Sequence, residues 1–123
     1  KIMDAFSLPK KTEEEKAIRK QAVQEATRFA TEVPFKTMQL CYECMSVAKA
    51  MAEIGNPNSV TDAGVGALAA RAGVVGAFLN VKINASGLDD KAYAEKIIRE
   101  GENVVEKAGQ LEAEILQIVH SKI

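Results

Sequence analysis

Asp62-Ala-Gly-Val-Gly-Ala-Leu-Ala-Ala-Arg-Ala-Gly-Val-Val-Gly-Ala-Phe-Leu-Asn-Val-Lys-Ile-Asn84 contains no proline and no strand-like alternation. Helical residues advance by ~100° each, so Gly66, Ala69, Gly73, Gly76, Asn80 and Asn84 all fall within about 40° of Asp62. Val65, Leu68, Ala72, Val75, Leu79 and Ile83 gather on an adjoining sector. This predicts an ordinary core face beside a second face of small residues with polar ends. At ~1.5 Å per residue the helix from Asp62 to Asn84 is roughly 35 Å long. A helix of that length and apolarity needs other helices around it.

The flanking sequence supplies them. Gly55-Asn56-Pro57-Asn58-Ser59 is rich in turn formers, and Thr61 or Asp62 is placed to cap the helix that follows. Upstream, Phe35, Met38, Cys41, Met45, Ala48 and Ala52 form an apolar stripe that Gly55 is placed to stop. Pro34 lacks an N–H and suits a first helical position, so it is expected to end or kink the preceding helix. That helix carries Ile18, Ala22, Ala26, Phe29, Ala30 and Val33 at helical spacing. It starts with a capping box, Thr12 and Glu15, and with acidic residues in its first turn. Lys1 to Ser7 reads as the end of another helix, stopped before Pro9. Downstream, Asp89 or Asp90 caps a last helix with heptad spacing: Ala94, Ile97, Gly101, Val104, Ala108, Leu111, Ile115 and Ile118. The fold class is therefore all-α, a multi-helical bundle with long antiparallel helices, and residues 1–123 are one helical domain. Lys1 opens the chain in mid-helix, so an upstream N-terminus is expected.

The glycines of the Asp62–Asn84 helix are the chemical clue. Glycine inside a helix costs up to ~1 kcal/mol relative to alanine. Gly64, Gly66, Gly73 and Gly76 imply either a closely packed helix or a flat ligand against the backbone. Asn80 and Asn84 stand one turn apart, and a buried amide without a partner costs ~1–3 kcal/mol. They suit a heterocycle edge, or a hydrogen bond between helices. Asp62 is an N-cap or a proton carrier. Asn56, Asn58 and Ser59 shape the loop before it.

Other chemistries find little support. With 123 residues and a formal net charge of −1, the chain lacks the basic excess of a nucleic-acid binder. The longest weakly polar stretch, Ala63 to Val81, is interrupted by Arg71, so no run is read as reaching the ~20 residues that cross a bilayer. Cys41 and Cys44 lie within a helix with no second pair, and the single histidine, His120, is remote, so neither a zinc site nor a thioredoxin-type site is expected. Two cysteines point to a reducing, cytoplasmic setting. Lys10, Lys11, Arg19, Lys20, Arg28 and Lys36 read as a solvated face that also attracts an anionic substrate tail.

Gly55-Asn56-Pro57-Asn58-Ser59-Val60-Thr61-Asp62, followed by Gly76-Ala77-Phe78-Leu79-Asn80-Val81-Lys82-Ile83-Asn84, resembles the cyclodeaminase and methenyltetrahydrofolate cyclohydrolase family. This is the C-terminal part of formiminotransferase-cyclodeaminase and its stand-alone relatives. Leu8-Pro9-Lys10, the stretch from Thr12 to Arg19 and Val33-Pro34 resemble it in the same order. The family's Gly-rich Pro-x-Pro-Gly-Gly-Gly segment is not among these residues. Nor is its Asp-x-x-Ala-Phe element: Met3-Asp4-Ala5-Phe6 stands directly before Leu8-Pro9-Lys10, and no role is carried to Asp4. The chain is accordingly expected to be the C-terminal portion of a longer cyclodeaminase-type domain.

The resemblance implies a homodimer that needs no cofactor and no metal and takes a one-carbon tetrahydrofolate as substrate. It implies closure of 5-formimino-tetrahydrofolate to the 5,10-methenyl form with loss of ammonia, hydrolysis of the methenyl bridge, or both. Asp62 is then the catalytic candidate, with Asn56, Asn58, Ser59, Asn80 and Asn84 as substrate-binding candidates. The rival expectation is a non-catalytic helical interaction or dimerisation module, with the heptad helix as its partner surface.

Overall fold

The computed structural model describes all 123 residues. It is all-α: α1 (Ile2–Ser7), α2 (Glu13–Ile54), a 3₁₀ turn (Pro57–Ser59), α3 (Val60–Ala85) and α4 (Lys91–His120). Short connections make α2, α3 and α4 successive antiparallel neighbours, and α3 lies against both of the others.

The start of α2 follows the expected chemistry. Thr12 Oγ1 accepts from the Glu15 N–H at 3.1 Å, while Glu15 Oε2 accepts from the Thr12 N–H at 3.1 Å. Its course past Pro34 departs from the expected stop. The proline neither ends nor breaks the helix, and α2 runs 42 residues without interruption. The reason lies in α3. A proline at 34 withdraws the N–H that Ala30 O would accept, a change costing ~3 kcal/mol in a helix interior. Asn84 Nδ2 donates to Ala30 O at 2.7 Å and replaces it.

The buried face of α3 also differs from the expected one. Ala63, Ala67, Val74, Phe78, Val81 and Ala85 are buried. The sector expected to be core is mostly open, with Val65 64%, Leu68 46%, Leu79 59% and Ile83 69% exposed. α3 is apolar around most of its circumference, so periodicity marks no single inward side. That composition overturns a second expectation: Pro57–Ala85 is long and apolar enough to cross a membrane. In this fold it is a bundle helix with α2 and α4 on two of its sides.

α4 packs as its heptads predict. Ala94, Ile97, Gly101, Ala108 and Ile115 are buried, with Val104, Leu111 and Ile118 half-buried beside them. Asp90 caps it, accepting from the Tyr93 N–H at 3.0 Å. Gly101 lets the Phe78 ring lie against the helix backbone, where any Cβ would collide with it. On α2, Met38, Met45 and Ala52 fall on the inward stripe at seven-residue intervals. Ile18, Phe29 and Val33, expected to be apolar contacts of the same kind, are exposed instead. The N-terminal part of α2 is met by α1 and the α3–α4 turn, and at single points by Asn84 of α3 and Tyr93 of α4.

Polar ties fix the register. Gln24 grips that turn by its backbone, donating to Gly87 O at 3.1 Å and accepting from the Asp89 N–H at 2.8 Å. Lys20 adds an ion pair with Asp89 at 3.1 Å, and Lys49 bridges α2 to Glu114 of α4 at 2.6 Å.

Candidate functional site

Two grooves follow the α2–α3 seam, and the small-residue face of α3 forms a wall of each. One, of about 790 Å³, is lined by Pro34 and Thr37 of α2 and by Gly73, Gly76, Asn80 and Asn84 of α3. The other, of about 500 Å³, lies at the opposite end of the seam. Cys44 and Met51 of α2, Asn56 and Ser59 of the connection, and Asp62 and Gly66 of α3 line it. The candidates therefore share one helix face but not one pocket. Asp62 precedes Asn80 by eighteen residues, roughly 27 Å along the helix axis.

The four helical glycines divide into two kinds. A Cβ on Gly73 would lie 2.7 Å from Cys41 Sγ, and one on Gly64 would lie 3.4 Å from Val119 Cγ2. Those two serve close packing. A Cβ on Gly66 or Gly76 would meet nothing within 4 Å. Each of those opens onto one groove, so packing within the chain does not account for them.

Asp62 is not the cap of α3. Ser59 holds that position without a side-chain capping bond, and Asp62 sits in the first turn. It is exposed, and no hydrogen bond or ion pair within the chain engages its carboxylate. The helix dipole favours negative charge at this end. Such a group is positioned to take or give a proton at the groove wall.

Asn56 folds the loop. Its Oδ1 accepts from the Asn58 N–H at 3.0 Å, and its carbonyl accepts from the Ser59 N–H at 2.9 Å. Asn58 completes this turn but does not line the groove. Asn80 donates back to Gly76 O at 3.2 Å, which leaves its Oδ1 for another donor. Asn84 spends one amide hydrogen on Ala30 O, so here the inter-helix hydrogen bond is realised.

Sequence reasoning did not find Pro34, Thr37, Cys44 or Met51 as groove walls. Only the antiparallel docking of α2 on α3 reveals them. Cys41 and Cys44 are both free; Cys41 is half-buried and Cys44 exposed. No three His, Cys, Asp or Glu side chains converge as a metal-binding group.

The sequence model of the formiminotransferase-cyclodeaminase family matches residues 1–103. The chain belongs to that family. It is 46% identical over 122 residues, 99% of its length, to the methenyltetrahydrofolate cyclohydrolase of Methylorubrum extorquens. It is 36% identical over 94 residues, 76% of its length, to the formimidoyltransferase-cyclodeaminase of Mus musculus. Against the Gallus gallus protein of the same name it is 32% identical over 120 residues. The chain spans 59% of the cyclohydrolase, 17% of the mouse protein and 22% of the chicken protein. The family match thus covers α1, α2, α3 and the first part of α4, including both grooves.

Proposed function

We propose that the protein containing this chain is a one-carbon folate enzyme. It closes 5-formimino-tetrahydrofolate to 5,10-methenyl-tetrahydrofolate with release of ammonia, hydrolyses the methenyl bridge, or does both. The observation carrying this reading is the 46% identity to a methenyltetrahydrofolate cyclohydrolase over nearly the whole chain. The two blocks that resemble the family lie along one seam, with two uncovered glycines beside them.

Both reactions act on the same amidine-like carbon. In closure, N10 attacks the carbon of the protonated formimino group, N10 loses a proton, and the departing nitrogen gains one and leaves as ammonia. In hydrolysis, water adds to the carbon and one C–N bond opens. Each needs a proton carrier, and Asp62 supplies a carboxylate free of protein partners. Asn56 and Ser59, with Asn58 stiffening the loop, set the mouth of that groove. Asn80 and Asn84 offer amides to a heterocycle in the other. The tetrahydrofolate is the substrate, and the chemistry calls on no separate cofactor. Residues 1–123 are one portion of a longer cyclodeaminase-type domain, and its glycine-rich part supplies the opposing wall. A cytoplasmic setting fits the two free thiols.

The exposed sector Val65, Leu68, Leu79 and Ile83 supports self-association as well. In this reading the protein is a homodimer and the sector lies in its interface. A purely structural interaction module is the competing reading. Calorimetric titration of the full-length protein with methenyl- and formimino-tetrahydrofolate separates them: binding is expected, and its absence overturns the enzyme. Asp62→Asn is expected to abolish turnover of both compounds. Unchanged turnover removes Asp62 from the chemistry.

A further inference from the structure

α2 ends without the usual devices. Gly55 follows it in an extended conformation, φ −73° and ψ −176°, so no left-handed cap turns back on the last carbonyls. There is no basic residue in its own last turn. Carbonyls at a helix C-terminus have no partner within the helix and carry the negative end of its dipole. Here they are met from sixty-nine and seventy residues away: Lys122 Nζ donates to Glu53 O and to Ala52 O, each at 2.6 Å. Ala52 itself is buried.

The same end of α4 holds the other side of the connection. Val119 is buried and packs on Gly64, close to the start of α3. Val119 in the last turn of α4 and Lys122 just beyond it therefore touch both helices that flank residues 55–59. Asn56 follows Glu53 by three residues, and Asp62 precedes Gly64 by two. A displacement of either helix end changes how these two residues, which both line the groove, are placed relative to each other.

We propose that Lys122 is a positioning residue for the Asn56–Asp62 groove. By pinning the end of α2 while Val119 pins the start of α3, it sets the separation of the groove's two walls. The catalytic consequence rests on the reading of that groove given above, whereas the geometric one does not. Catalysis is sensitive to small misplacements, so the effect belongs in kcat rather than in substrate affinity.

The test compares Lys122→Met with Lys122→Arg in the full-length protein, by two readouts. The first is amide exchange at Ser59, whose N–H is held by Asn56 O. Lys122→Met is expected to speed it about tenfold, the equivalent of ~1.4 kcal/mol of lost local protection, with exchange at Ile97 unchanged. The second is turnover, expected to fall about tenfold in kcat with little change in KM, and to recover in Lys122→Arg, which keeps the charge. Unchanged exchange at Ser59 overturns the proposal. So does exchange that rises equally at Ser59 and Ile97, which marks a global loss of stability. Altered exchange at Ser59 alone, combined with an Asp62→Asn variant of normal turnover, keeps the positioning role and rejects the catalytic reading of the groove.

Discussion

Asn84 Nδ2 lies 2.7 Å from Ala30 O, the carbonyl that Pro34 leaves without its helical donor. A helix interrupted in its hydrogen-bond ladder is thus repaired by its neighbour. Asn84→Ala strands that carbonyl in a half-buried position and is expected to destabilise the fold by ~1–3 kcal/mol. In a Pro34→Ala background, where residue 34 regains its N–H, the same substitution is expected to be much milder. Urea denaturation of the four proteins measures the coupling; additivity would mean that Asn84 and Pro34 act independently.

The uncovered glycines allow stability and binding to be separated. Gly66→Ala and Gly76→Ala place a methyl group in open space. Each is expected to raise stability by up to ~1 kcal/mol through helix propensity. If a folate ring lies on that backbone, each also weakens folate binding, read by calorimetry. Gly101→Ala is the control: its methyl group meets the Phe78 ring, and the melting temperature should drop.

Self-association through α3 is tested at residues that the fold does not need. Leu68 and Leu79 are 46% and 59% exposed, so a paired Leu68→Glu and Leu79→Glu variant should keep its helical signal. Sedimentation velocity is expected to show a dimer for the parent protein and a monomer for the variant. A variant that remains dimeric places the interface elsewhere.

Tyr93 supplies the pH dependence. Burial is the main cause raising its hydroxyl above the ordinary 10.0, followed by the hydrogen bond it donates to Glu32 Oε1 at 3.0 Å. The folded chain then holds this proton more tightly than the unfolded one. The contribution is complete below about pH 10 and disappears as pH rises through the raised folded value. Stability should therefore fall more steeply on the alkaline side in the parent protein than in Tyr93→Phe, as followed by thermal melts across that range.

Much of this architecture is legible in the residues, for local reasons. Thr12 and Glu15 carry their capping geometry in their spacing, Asp90 likewise, and α4 pairs apolar heptads with charged flanks that leave one inward face. Three features resist. Pro34 carries a local rule that Asn84, fifty residues away, overrides. The inward side of α3 is hidden because Val65 and Leu79 are as apolar as Val74 and Val81. The candidate residues read as one wall because they share an angle on α3, whereas the division of the seam into two grooves depends on α2 side chains outside that pattern. Asp62 and Asn80 share a bearing, yet they end up in separate grooves.

The long reach of the polar ties to α2 has a consequence for how the chain assembles. Its hydrogen bonds to α3, α4 and the segments around them span from 54 residues, Asn84 to Ala30, up to 70, Lys122 to Ala52. None of them can close early, since each must first overcome the entropy of a long loop. Contacts beside the short 55–59 connection, where Met51 and Asp62 share a groove wall eleven residues apart, have no such delay. α2 therefore pairs with α3 from that connection outward, and Gln24, Asn84 and Lys122 act as three late checkpoints along it. A helix shifted by one turn would miss all three together, so misregistered docking has little to hold it in place.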